Sequence, residues 1–243
     1  MKKYYKLAIS ATVICLGLGV VDQAQAVNVT LSTADRQFTE GTNNQGWWST
    51  YSPRFNYNDN FNDSYLTGKL RSTTYRSYFT FDLGTLANNP VSSATLQIQR
   101  FIGSGNSTPT IGFFDVSTPA SSLNQKSNNP DLDIYRDLGS GKNYGKFQVT
   151  SAGDRDEILS FTLNSNAIAD INAADGKFFS IGGKLLNNVE AGDQYLFAYG
   201  YDAPAQLVVT TAHAPEPLTV GGTAIAGAMG WWLKRKRKAS LTP

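Results

Sequence analysis

Apolar and polar residues alternate in short runs along most of the chain. Val27-Asn28-Val29-Thr30-Leu31 alternates at period two, the spacing that sends successive side chains to opposite faces of a strand. From residue 75 to 81, Tyr75, Ser77, Phe79 and Phe81 share one face, and Arg76, Tyr78 and Thr80 share the other. Ala94, Leu96 and Ile98 alternate in the same way with Thr95, Gln97 and Gln99. The pattern predicts further strands over residues 110–116, 146–150, 158–163, 177–181, 194–199 and 206–211. Gly, Asn, Ser, Asp and Pro separate these runs and supply turns. Many short strands of this kind predict an all-β, antiparallel β-sandwich. Long connections between two closed sheets would make it jelly-roll-like.

One short helix interrupts the strands. Asn164 or Ser165 can cap it, Ala167, Ile168, Ala169, Ile171, Ala173 and Ala174 fill it, and Gly176 ends it. Its simplest role is a crossover packed over one edge of the sandwich. Two stretches show no periodicity. Residues 40 to about 63 are dense in Asn, Gly, Trp and Tyr, and residues 117–145 contain Pro119, Pro130, Gly139 and Gly141. Loops this long in a compact domain tend to serve a function. No repeat of fixed period and no internal linker divides the domain.

The two ends follow a different pattern. Lys2, Lys3 and Lys6 precede an apolar run over residues 7–21, and Ala24-Gln25-Ala26 follows it. A charged n-region, an apolar h-region and a small-x-small site make a secretory signal peptide. It predicts cleavage after Ala26 and a mature chain starting at Val27. At the other end, Pro215-Glu216-Pro217 is followed by residues 218–233, which carry no ionisable side chain, and by Lys234-Arg235-Lys236-Arg237-Lys238. The apolar stretch is shorter than the roughly 20 residues of a full span. Trp231 and Trp232 suit the headgroup level, and the five cations act as a stop. The expected organisation is therefore a signal helix at 1–26, a β-sandwich at 27–210, and a tail at 211–243 with a C-terminal transmembrane helix.

Charge and rare residues narrow the functions. Of the 21 Lys and Arg, eight lie in the terminal segments; of the 19 Asp and Glu, only two do. The stretch from Val27 to Ala214 keeps 13 cations against 17 anions, about −4, which argues against a nucleic-acid partner. The single Cys, Cys15, lies in the signal segment, and the single His, His213, lies beside the tail motif. The exported stretch thus has no disulfide, no thiol nucleophile, no Ser-His-Asp triad and no multi-histidine zinc site. No enzyme activity, catalytic residue, cofactor or metal is expected.

Three constellations have two readings each. Trp47, Trp48, Tyr51 and Tyr57, with Phe55 and neighbouring Asn, Asp and Arg, form an aromatic cluster in a polar loop. It reads either as a glycan-binding surface or as a plug at the end of the sandwich. Asn58-Asp59-Asn60, Asn62-Asp63 and Asp131 with Asp133 are oxygen-rich. A structural calcium is the alternative there to ordinary turn formation. Asp154, Asp156 and Glu157 flank Arg155. A polysaccharide hydrolase or lyase would need paired carboxylates across a bond, whereas adjacent residues form a solvated turn. Gly182-Gly183 and Gly139-Ser140-Gly141 lack the context of a phosphate loop and read as turns or bulges.

The order tripeptide, apolar segment, basic cluster closely resembles the PEP-CTERM sorting signal. That resemblance implies recognition by an exosortase, removal of the tail, and an organism with a Gram-negative envelope that makes exopolysaccharide. The block Arg76-Ser77-Tyr78-Phe79-Thr80-Phe81-Asp82-Leu83, the strand Val91 to Ile98 and the ending Pro204 to Thr210 are similar to the DNRLRE type of extracellular β-sandwich. This second resemblance implies a jelly-roll domain of surface and polysaccharide-associated proteins, sometimes a carbohydrate-binding module. Together they imply signal peptidase and exosortase as partners, with transient residence in the inner membrane. The mature form is expected on the cell surface or outside the cell, in contact with exopolysaccharide.

Overall fold

The computed structural model describes residues 26–51, 55–57, 64–125, 131–187, 192–198 and 203–211. They belong to a unit spanning Gln25–His213. Among them the chain is mostly strand, antiparallel throughout, with few helical residues. The strands are β1 (Val27–Ser32), β2 (Gln45–Tyr51), β3 (Phe55–Tyr57), β4 (Thr67–Leu70), β5 (Thr73–Asp82), β6 (Val91–Gln99) and β7 (Ile102–Ser104). They continue with β8 (Thr110–Asp115), β9 (Asn143–Gln148), β10 (Ile158–Thr162), β11 (Phe178–Leu185), β12 (Gln194–Ala198) and β13 (Gln206–Thr211). The α-helices are α1 (Ala120–Leu123), α2 (Leu132–Asp137) and α3 (Ser165–Ala174).

Two sheets form. The smaller runs β1-β13-β6-β10, and the larger runs β7-β12-β4-β5-β11-β8-β9, with β2 on β5 and β3 on β2. The alternating runs set which faces meet. Ala94, Leu96, Ile98, Phe161, Leu207 and Val209 from the small sheet share one core with Phe79, Phe81, Ile111, Phe113 and Ile181 from the large sheet. Aromatic rings interlock there: Phe113 meets Phe161 edge-on at 5.1 Å, and Tyr65 meets Phe79 at 5.4 Å. Such pairs add to the stabilisation that burial of their area supplies. The first and last strands are neighbours in full register, from Val27 opposite Thr211 to Ser32 opposite Gln206.

A second, smaller cluster lies on the other face of the large sheet. Trp48 and Tyr78 lie there under Leu123, Ile134, Tyr135 and Leu138, which come from α1, α2 and the residue after α2. A polar chain helps fix α1 to this face: the Asn124 amide donates to Thr80 Oγ1 at 3.1 Å, and Thr80 shares a 2.8 Å bond with Ser180. Burial strengthens such bonds and makes them costly to break.

The helix expected near residue 165 forms as read. Asn164 caps it, its side chain accepting from the backbone N–H of Asn166 and Ala167, and Asp175 and Gly176 turn left-handed at its end. Ala167 and Ile171 enter the main core. The two stretches read as irregular are not wholly so. The first contains β2 and β3, and the second contains α1 and α2. Strands β4 and β7 lie outside the predicted set as well. Gly182 and Gly183, read as turn or bulge, sit inside β11. A Cβ on Gly182 would fall 2.5 Å from the Leu138 carbonyl oxygen, so the end of α2 can settle on the sheet only over glycine.

Candidate functional site: a cationic fork in the large sheet

Strand β5 is longer than any one of its partners can cover. Along one edge it pairs with β2 from Thr73 to Phe79. The other edge is shared: β4 pairs with residues 73–75 and β11 with residues 77–82. The sheet therefore forks at Arg76, the one position between the two partners. A cleft of about 220 Å³ opens at this fork, lined by Gly68 and Lys69 of β4, Thr74, Tyr75 and Arg76 of β5, Lys184 and Leu185 of β11, and by Tyr135 and Asn187. Gly68 makes the close approach of β4 feasible. Its φ is +120°, and a Cβ there would lie 2.3 Å from the Gln194 carbonyl oxygen.

Register places the cations together. Lys69 lies opposite Thr74 and Gly183 opposite Ser77, so Lys69, Thr74, Arg76 and Lys184 all project from the face that carries α2. Arg76 is held firmly. Its guanidinium lies over the Tyr135 ring, 4.2 Å from the centroid, and its Nη1 donates to the carbonyls of Tyr135 at 2.9 Å and Arg136 at 3.1 Å. Its Nε is buried with no hydrogen-bond partner among the described residues. Gly139 lies against it, since a Cβ there would be 3.0 Å from Nε and 2.6 Å from Lys184 Cδ.

No carboxylate among the described residues pairs with Lys69, Arg76 or Lys184. The ion pairs among the described residues lie elsewhere: Arg36–Asp82, Arg100–Glu157, Arg136–Asp133 and Lys142–Asp170. Burial pushes the Arg76 guanidinium below its ordinary pKa, opposed by the charge and hydrogen bond of Tyr135. Burial also lowers Lys184, and the neighbouring Arg76 charge lowers it further. Burial raises the Tyr135 phenol, against the pull of Arg76. A lysine whose charge is disfavoured by Arg76, with no carboxylate beside the pair among the described residues, forms a site of positive potential on a domain that is acidic as a whole.

Of the aromatic residues singled out in the sequence, the two tryptophans are separated. Trp47 and Trp48 sit on adjacent positions of β2, so they face opposite sides of the sheet. Trp48 is 2 % exposed and its indole N–H donates to the Leu123 carbonyl at 3.2 Å. It packs beneath the helices and offers no ring to a ligand. Trp47 is half-buried, edge-on to Tyr75 at 4.8 Å, and Tyr75 lines the cleft. Tyr51 and Tyr57 fall in β2 and β3, and their side chains are outside the described residues. The cluster is thus two strands with one buried Trp, not a polar loop.

Asp131 is the N-cap of α2: its Oδ1 accepts from the backbone N–H of Asp133 at 2.9 Å and Ile134 at 3.0 Å. Asp133 pairs with Arg136 at 3.5 Å. Asn58, Asp59, Asn60, Asn62 and Asp63 lie outside the described residues. Among the described residues no group of three His, Cys, Asp or Glu could hold a metal ion. The Asp154–Glu157 stretch forms a turn, in which Asp154 Oδ1 accepts from the Asp156 N–H at 3.0 Å. Glu157 turns away to meet Arg100 Nε at 2.7 Å.

Ala24, Pro215, Glu216, Pro217 and the Lys234–Lys238 cluster, expected to carry the two processing signals, lie outside the described residues; Ala26 and Val27 lie at the start of the described chain. Among the described residues no helix is long and apolar enough to cross a membrane. Lys69, Lys184, Tyr135 and Asn187 were not legible as site residues. They are far apart in sequence, and only the strand register joins them. The alternation from 75 to 81 did place Arg76 on the right face. No protein-family model matches the chain, and no curated protein matches it.

Proposed function

We propose that this chain is an exported, exosortase-processed protein of the cell surface or extracellular matrix, without enzymatic activity and associated with exopolysaccharide. In this reading the signal segment directs export, the tail holds the precursor in the inner membrane, and cleavage near Pro215-Glu216-Pro217 releases the folded domain. The observation that carries it is the ordered pair of terminal signals around one β-rich unit. The strand pairing supports it: β1 begins at Val27, the residue expected after signal cleavage, and β13 ends at Thr211, ahead of the sorting motif. Both cuts would leave the antiparallel pair β1–β13 whole. The absence of enzymatic activity rests on sequence, since the exported stretch has no Cys and its one His adjoins the tail.

A β-sandwich is the fold of the domain in this reading, and a jelly roll its finer form. The DNRLRE resemblance supports that form through Ala94, Leu96 and Ile98, whose side chains line the core. The experiment is expression of the chain beside an active or an inactivated exosortase. Release of a tail-less product should require the active enzyme and should fail when Pro215, Glu216 and Pro217 are replaced by Ala. Equal release in all three cases overturns the reading.

A second reading, a carbohydrate-binding module, is favoured by one observation. The fork cleft combines three cations, with no carboxylate partner among the described residues, with the ring of Tyr135. The module would use this cleft in place of the buried Trp48, with Trp47, Tyr51 and Tyr57 remaining candidates for the aromatic part of the surface.

A further inference from the structure

The fork cleft joins three features that ordinary folding does not require together. Lys69 and Lys184 extend into it without a carboxylate partner among the described residues. Arg76 spends Nη1 on two carbonyls and its face on Tyr135, so its position is fixed before any ligand arrives. Preorganised cations lose little freedom on binding, and a guanidinium so fixed favours an oxyanion over a neutral hydroxyl. The charge is also local. The stretch from Val27 to Ala214 carries about −4, so the cluster opposes the trend of its own surface.

Size restricts the ligand. A cleft of about 220 Å³ is smaller than the usual pocket for a drug-sized molecule. It suits one substituted ring. We propose that the fork cleft is a subsite for a single anionic sugar residue, whose carboxylate or sulfate ester is held by Lys69, Arg76 and Lys184. This inference rests on the polysaccharide-associated reading above and names its ligand as acidic.

The test is binding of the full-length chain, in detergent, to three immobilised polymers: polygalacturonate, dextran sulfate and unmodified dextran. The comparison protein carries Lys69→Ala and Lys184→Ala. Both proteins keep the five tail cations, so any difference between them reports on the cleft alone. Retention on one or both acidic polymers, with little on dextran, is the expected result. The double variant should bind the acidic polymer about tenfold more weakly, as two lost charge contacts predict. Polygalacturonate alone identifies a carboxylate, dextran sulfate alone a sulfate ester, and both an oxyanion of either kind. Near-UV circular dichroism must show that the variant keeps its fold; Lys69→Gln with Lys184→Gln replaces it if not. Equal binding by parent and folded variant overturns the subsite, and so does retention on dextran equal to that on the acidic polymers. Neither outcome touches export or tail removal, which the exosortase comparison reads separately.

Discussion

The guanidinium of Arg76 lies over the ring of Tyr135 and bonds to the carbonyl of the same residue, 2.9 Å from Nη1. One side chain of β5 therefore reaches both the ring and the backbone of α2. Helix α2 has only six residues, too few to be stable alone, so contacts of this kind must hold it. Tyr135→Ala should cost about 3 kcal/mol or more, by analogy with other buried aromatic truncations. Arg76→Lys should cost about 1–2 kcal/mol, since it keeps the charge and loses the planar stacking. Urea unfolding midpoints at constant slope would measure both.

The two adjacent tryptophans should behave differently. Trp48 is 2 % exposed and donates to the Leu123 carbonyl, whereas Trp47 is half-buried against Tyr75. Trp48→Ala should destabilise by about 3–5 kcal/mol, and Trp47→Ala by clearly less. In fluorescence, quenching by iodide should reach Trp47 and spare Trp48, so Trp47→Phe should lower the quenchable fraction. Equal losses for the two alanine variants would contradict this placement.

Gly182 is expected to be intolerant although it lies in a strand. Its missing Cβ is the space taken by the Leu138 backbone, with Cα at 2.8 Å and the carbonyl oxygen at 2.5 Å. Backbone cannot step aside as a flexible side chain can, so Gly182→Ala should cost about 1–3 kcal/mol. Displacement of α2 should also loosen the Arg76–Tyr135 contact. Hydrogen exchange should then rise in α2 before it rises in β6.

Alkaline pH should weaken the fold through its buried phenols. Burial, a hydrogen bond to Asp170 and the charge of Asp170 raise the Tyr144 pKa well above its ordinary 10.0, and burial raises that of Tyr135. A raised pKa means that the unfolded chain loses these protons first. The stabilisation is complete below about pH 10 and declines as pH rises beyond it. Lys142, raised by the same Asp170, adds to the decline. Tyr144→Phe removes the 2.9 Å bond to Asp170 and should cost about 1 kcal/mol at pH 7. Its stability should then fall less steeply than the parent's above pH 10, a difference visible in unfolding curves taken from pH 7 to 11.

Strands with one apolar and one polar face were legible. Ala94, Leu96 and Ile98 alternate with polar residues because one face of β6 meets the core. Strand β2 was not legible, for a physical reason: both of its faces are covered, and its core face carries polar residues. Gln45 is fully buried, its Oε1 accepting from Thr33 at 2.7 Å and from the Ala205 N–H at 2.9 Å. Satisfied polar groups of this kind remove the alternation that sequence reading depends on. The cap of α2 was visible as Asp131, but an aspartate two residues before another carboxylate serves a cap and a calcium loop equally well in sequence. The fork cleft needed the third dimension, since the pairing of β4 and β11 with one edge of β5 is not written in any single segment.

Intact-mass spectrometry of the protein recovered outside the cell tests the central claim most directly, because one mass reports both cleavages. The expected species begins at Val27 and ends at or near Pro215-Glu216-Pro217, without residues 218–243. A full-length chain from Met1 to Pro243, found in the cytosol with no processed form outside, would contradict it.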